Sequence, residues 1–362
     1  MMAWAGHELP IYPSYYPHEI DITTVPLEQA LSQIERGQIQ AYIGTAPLLD
    51  TALPASVSAV ESLGSFVIVE VNPDSPHVRN GQGTCVVAAA VIRNLVEHGR
   101  GFIFSPYPVT PFHGDYLYHA DLAVAAKQRW LGREDKAPAG IEVKPVGAIA
   151  ASLVPAGRQT QARHWDAEVT TVEAGAMVAQ TMTAVNGWLG PPWLRKGWFH
   201  ADLLLADAVT DPESKARVGS DFKQLTTGDY EDAVERINLE RDLVGILSNS
   251  CHKTVAGYTV RHHYFSNDYS AGIENIAYDS IAGFAAPMFL RTAKLKDFPW
   301  NGWLRLGTDK PPAAAWNPMT GFTDAFGHLM WFALSDPALL PSPNDSGWTI
   351  NRIADVAAKS AR

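Results

Sequence analysis

Thiols are scarce in this sequence: Cys85 and Cys251, 166 positions apart, are its two cysteines. That count excludes a CxxC zinc cage and a CxxCH haem attachment, each of which needs paired thiols at short spacing. Basic residues are also few, 28 Lys and Arg against 38 Asp and Glu, for a net charge of −10. No five of them cluster, so the electrostatic footprint of a nucleic-acid binder is missing. Long apolar runs are absent too: stretches such as Val86 to Ile92 fall far short of the roughly 20 residues that cross a bilayer. GxGxxG after a strand, the phosphate-cradling P-loop, HExxH and GxSxG are all lacking. Zincin-type zinc and nucleophile-elbow hydrolysis go with them, whereas a non-covalent haem or a metal held by scattered side chains remains open.

What is present builds a globular core, since 46% of the 362 residues are hydrophobic. Ala3-Trp4-Ala5 before Gly6 has the small-x-small form that ends a secretory signal, which predicts an exported, periplasmic protein. A native start that contains two alanines is the alternative. An oxidising compartment suits a Cys85 to Cys251 disulfide joining the first half to the second, with two separate buried thiols as the other reading.

The periodicities predict an α/β fold, with a parallel-sheet N-terminal half carrying helices on its faces and a more helical, loop-rich C-terminal half. Residues 1–18, with Pro10, Pro13 and Pro17 among tyrosines, read as an extended segment. Residues 19–155 read as the α/β domain: a strand through Ile20 and Ile22, a helix from Pro26 to Arg36, strands at Ile39 to Ile43 and Ser65 to Val71, a helix from Thr84 to His98 and a buried strand at Gly101 to Phe104. Residues 156–362 read as a helical, aromatic-rich domain packed on the first. Its helices are expected at Ala174 to Asn186, Gly197 to Val209, Asp211 to Leu225 and Tyr230 to Asn249. An internal echo pairs Tyr118-His119-Ala120-Asp121-Leu122 with Phe199-His200-Ala201-Asp202-Leu203 at an offset of 81, which a duplication or an alanine- and aromatic-rich composition explains.

The densest histidine grouping, His113-Gly114-Asp115 with His119-Ala120-Asp121, alternates imidazole and carboxylate. With His200 brought in by the echo, His113 and His119 are the candidate ligands of a transition metal. Against that stands a structural role, with Asp115 capping a helix that starts near Tyr116 and His200 satisfied in the core. His262 and His263 are neighbours in an aromatic strand, Tyr258 to Phe265, so their rings point to opposite faces and one of them at most reaches a shared site. For acid–base work the candidates are Asp268, Glu274 and Asp279, which no nucleophile accompanies. Eleven tryptophans, Trp300 and Trp303 among them, offer aromatic faces for a ligand or anchors for loops.

Ile34-Glu35-Arg36-Gly37-Gln38-Ile39-Gln40-Ala41-Tyr42-Ile43-Gly44, within residues 27–47, resembles a segment of periplasmic solute-binding proteins. There a helix ends in glycine and feeds a strand that runs to a loop at the mouth of a cleft, and the resemblance puts Gly44, Thr45 and Ala46 in that loop. It implies a non-enzymatic protein that captures a small solute, and the expected ligand contacts are Thr45, Tyr107, Trp300, Trp303, His262 and His263. The alternative is a metal- or haem-binding accessory of a periplasmic redox system with a partner protein, and a further one is an enzyme of unassigned reaction around His262, His263 and Glu274.

Overall fold

The computed structural model describes residues 17, 19–44, 53–79, 83–99, 101–132, 138–179, 191–297, 302–311, 327, 329–330, 339–342 and 347–350. The chain is α/β, and it divides into two units that interleave along the sequence. Unit 1 comprises residues 1–62, 182–192 and 261–362; unit 2 comprises 63–181 and 193–260.

In unit 1, β1 (Glu19–Thr24), helix α1 (Leu27–Glu35) and β2 (Ala41–Ile43) form the expected strand–helix–strand run. Pro26 precedes the helix with the fixed φ that suits a first turn, and Ala30 and Ile34 bury one stripe. The two strands do not pair with each other. β10 (Trp303–Thr308), from nearly 300 residues further along, lies between them and is parallel to both. The end of β7 (Lys253–Ser266) then pairs antiparallel to β2 at Ala41 and Phe265. Phe284, Phe289, Leu304 and Leu306 pack a core with Ala41 and Ile43.

Unit 2 is centred on β3 (Val57–Val71), which enters it at Leu63 and runs antiparallel to β6 (Ala167–Glu173); β6 in turn is parallel to β5 (Val143–Val146). The first part of β7 lies on the other side of β3 in the strand order, and β4 (Ile103–Phe104) pairs antiparallel with it. Helix α2 (Thr84–His98) spans the predicted residues; Val87, Ala88, Val91, Ile92 and Leu95 bury its inner stripe against Val67, Val69 and Val169. Around this frame stand α3 (Ala120–Leu131), α4 (Ala148–Leu153), α5 (Ala174–Ala179), α6 (Gly197–Leu205), α7 (Pro212–Thr227) and α8 (Ala233–Leu247). The starts of α7 and α8 are written in the sequence: Asp211 accepts from the Ser214 amide ahead of Pro212, and Asp232 accepts from the Val234 and Glu235 amides.

The remaining elements belong to unit 1. They are β8 (Ile273–Glu274) paired with β9 (Lys294–Leu295), helix α9 (Pro287–Thr292), and β11 (Leu339–Pro341) paired with β12 (Trp348–Ile350). Cys85 and Cys251 form a disulfide with Cα atoms 4.9 Å apart. Both half-cystines lie in unit 2 and pack on its core, so the bridge closes a loop inside that unit. Among the described residues no helix is long and apolar enough to cross a membrane.

Candidate functional site

The stretch 107–121 of unit 2 is held against the first turn of α6 by a carboxylate. Asp115, 1% exposed, accepts from the Gly197 amide at 2.9 Å and the Trp198 amide at 3.3 Å, so it satisfies N–H groups that have no partner within the helix. This corrects the expected cap on the turn beginning at Tyr116: that turn is a short 3-10 helix, and Asp115 caps α6 instead, 82 residues away. Glycine at 197 follows from the same approach, because a Cβ there would lie 2.5 Å from Val109 Cγ1.

The structure brings His200 against His113, not against His119, its counterpart in the echo. His113 Nδ1 accepts from the Thr110 amide at 2.9 Å, so its proton sits on Nε2, which donates to His200 Nδ1 at 3.0 Å; His200 Nε2 then donates to the Leu194 carbonyl at 3.0 Å. Each step fixes the next tautomer, and both rings are neutral. Burial lowers each to about pKa 3, against Phe66, which stacks on one ring and meets the other edge-on. All four ring nitrogens are used, which leaves neither residue a lone pair for a metal.

His119 differs. Its ring is fully buried, Nδ1 lies 2.9 Å from the Tyr107 hydroxyl, and Nε2 has no partner. Glu240, from the middle of α8, is 0% exposed; its Oε1 accepts from Lys196 Nζ at 2.9 Å and from Arg236, while Oε2 has no partner. One ligand atom each from Asp115, His119 and Glu240 lies within 4.8 Å of the other two. Burial lowers His119 to about pKa 4 and pushes the Tyr107 phenol above the usual tyrosine range. At the rim Arg241 grips both oxygens of Asp121 at 2.8 and 2.7 Å and also donates to the Tyr118 carbonyl, holding the Asp121 carboxyl down to about pKa 2. Three buried side chains this close, with His119 Nε2 and Glu240 Oε2 lacking a hydrogen-bond partner, can hold a small cation or a polar guest.

Sequence reasoning named His119 and Tyr107 but missed Glu240. Its signal was there: Glu240, Leu243, Val244 and Leu247 are the buried face of α8 at i, i+3, i+4 and i+7, and a carboxylate on that stripe needs a reason.

In unit 1 the neighbouring histidines part as strand geometry requires. His263 Nε2 lies 2.8 Å from Ser62 Oγ, fully buried, and His262 Nε2 lies 3.2 Å from Glu61. Asp268 and Asp279 cap their own turns through the Ser270, Ala271, Ile281 and Ala282 amides, and Glu274 sits exposed on β8. Trp303 is 65% exposed on β10. Thr45 and Trp300 lie outside the described residues.

Unit 2 also carries an open cavity of about 420 Å³ over the outer ends of β3 and β6. Ile68, Val172, Met177 and Leu204 give it apolar walls, and Glu70, Glu173 and Lys253 supply its charge. Lys253 is already engaged by both oxygens of Asp207 at 2.8 Å, and Glu173 accepts from the Gly175 and Ala176 amides at the start of α5.

No family model and no curated protein sequence matches the chain. In structure it is similar to HbpA2 from Haemophilus parasuis (TM-score 0.44, 11% identity, 75% of this chain and 56% of that one). It is likewise similar to the ABC transporter substrate-binding protein CtaP from Listeria monocytogenes (0.41, 9%, 74% and 58%) and to OppA from Haemophilus influenzae in complex with RPPGFSPFR (0.38, 10%, 75% and 56%). Substrate-binding proteins are thus among these neighbours, the class that residues 27–47 resemble. The chain spans less than two thirds of the length of each.

Proposed function

We propose that this chain is a non-enzymatic binding protein that captures a small solute in the unit 2 cavity. The cavity carries the reading: about 420 Å³ is within the range of small-ligand sites, and aliphatic walls with a few charged groups are what such sites use to bury and orient a guest. Glu70 lines a cavity whose one lysine is engaged by Asp207, so the favoured solute carries an amine or another positive group on a compact apolar body. The walls are aliphatic and carboxylate rather than the aromatic and histidine lining expected from sequence.

Work outside the cytoplasm, in a periplasmic or comparable compartment, is part of the proposal. The Cys85–Cys251 bridge supports it, since structural disulfides persist where thiols are kept oxidised.

Thermal-shift screening against amines, amino acids and small cationic solutes tests the proposal. A ligand at a hundred times its Kd stabilises by about 2.7 kcal/mol, which raises the midpoint by several degrees. The shift is expected to shrink in Glu70→Gln and to vanish in Leu204→Trp, which fills the cavity. No hit across such a library, or hits indifferent to both substitutions, would overturn it.

A further inference from the structure

We propose that Asp115, His119 and Glu240 form a buried binding site for a first-row divalent cation such as zinc. This goes beyond solute capture and uses none of the cavity residues. The three side chains come from separate places: the loop before the 3-10 turn, the residue before α3, and the middle of α8. Each is 0% or 1% exposed, and each is held by partners of its own, Asp115 through both oxygens by the Gly197 and Trp198 amides, His119 by the Tyr107 hydroxyl, Glu240 through Oε1 by Lys196 and Arg236. One ligand atom of each lies within 4.8 Å of the other two, and His119 Nε2 and Glu240 Oε2 have no hydrogen-bond partner.

Leaving such atoms unpaired in the interior costs about 1–3 kcal/mol each, a cost that a guest bonded to them removes. Two facts favour a cation over a neutral guest. Asp115 and Glu240 each bring a carboxylate oxygen within 4.8 Å of the other, with Lys196 and Arg236 on Glu240 but only neutral amides on Asp115; a cation between them offsets both charges. The chemistry of the donors also fits, because one imidazole nitrogen with two carboxylates is a set that zinc, manganese and ferrous iron accept. Donors of one tetrahedral zinc at about 2.1 Å lie about 3.4 Å apart, so the carboxylates must swing inward by somewhat less than an ångström each. Coordination through Nε2 places the His119 proton on Nδ1, donated to the Tyr107 oxygen. A water hydrogen-bonded to all three groups is the competing occupant.

The full chain, purified without chelator and assayed by elemental analysis, gives the first reading. Apoprotein is then titrated with Co²⁺ and Zn²⁺, natively and during refolding from urea, because side chains buried this deeply admit an ion slowly in the folded chain. The expected result is one equivalent per chain, a Co²⁺ ligand-field spectrum displaced by Zn²⁺, and affinity weakened about tenfold to a hundredfold or more in His119→Gln and Glu240→Gln. Should either variant fail to fold, the ¹⁵N shifts of His119 in the wild-type chain decide: they move to the Nδ1–H form with Nε2 coordinated on Zn²⁺ addition. Folded wild-type protein that takes up none of these ions by either route, binding that survives both substitutions, or a crystal structure with only water on the three groups overturns the site.

Discussion

Removing the Cys85–Cys251 bridge is the perturbation with the most direct magnitude. The bridge spans 166 residues, and closing a loop of that length removes about 17 cal/mol/K of entropy from the unfolded chain, or about 5 kcal/mol at 25 °C. Both sulfurs pack on the unit 2 core beside Val87 and Ala256, so Cys85→Ala with Cys251→Ala also thins that core slightly, whereas reduction leaves the packing intact. Comparing reduced, oxidised and doubly substituted protein separates these two contributions. With a urea slope of about 2 kcal/mol/M, the entropic part moves the unfolding midpoint of unit 2 down by about 2.5 M. The assay is urea unfolding followed by far-UV circular dichroism and tryptophan fluorescence, with free thiols counted in each sample. Residual structure in the reduced unfolded chain lowers the effect toward about 2 kcal/mol. Coincident midpoints for fully oxidised and fully reduced protein would refute the reasoning, because a loop of this length cannot be closed without an entropic consequence.

Asp115→Ala leaves the first amides of α6 without their acceptor and is expected to destabilise unit 2 by about 2 kcal/mol, measured by chemical denaturation; loss below about 0.5 kcal/mol means water replaces the cap. Burial, and then the neighbouring Asp242 carboxyl, raise Asp221 to about pKa 6, so its folded state favours the proton. Stability from this group is present at acid pH and lost as pH rises through about 6, and Asp221→Asn therefore raises the thermal midpoint at pH 7.5 but not at pH 4. His200 and His263 have the opposite sign: burial lowers both to about 3, so their folded states stay neutral while the unfolded chain binds protons below about 6.5. Stability is intact above that value and falls as pH drops toward 3; calorimetry across this window shows proton uptake on unfolding, smaller by about one proton in a His263→Gln variant.

Local chemistry was legible in the sequence. Helix α2 could be read to the residue because an uninterrupted apolar stripe begins at Thr84 and meets Gly99, and α7 announced itself through Asp211-Pro212, whereas α8 starts at Ala233 behind its Asp232 cap and not at the expected Tyr230. The cap at Asp115 misled because a side-chain oxygen serves any amide within reach, and the one it serves is 82 residues away. Glu240 was passed over for a related reason: its neighbours along the chain mark only a helix face, while its partners Lys196, Asp115 and His119 come from other elements.

Composition and period thus determined that this chain is an α/β protein without the thiol cages, basic clusters or long apolar runs of several other classes, since those are properties of the chain itself. Only the tertiary structure decided that β10 slots between β1 and β2, that the disulfide closes within unit 2, and that Glu240 is buried close to Asp115 and His119. Strand order and side-chain convergence are set by which surfaces bury one another, and no local period in a sequence carries that information.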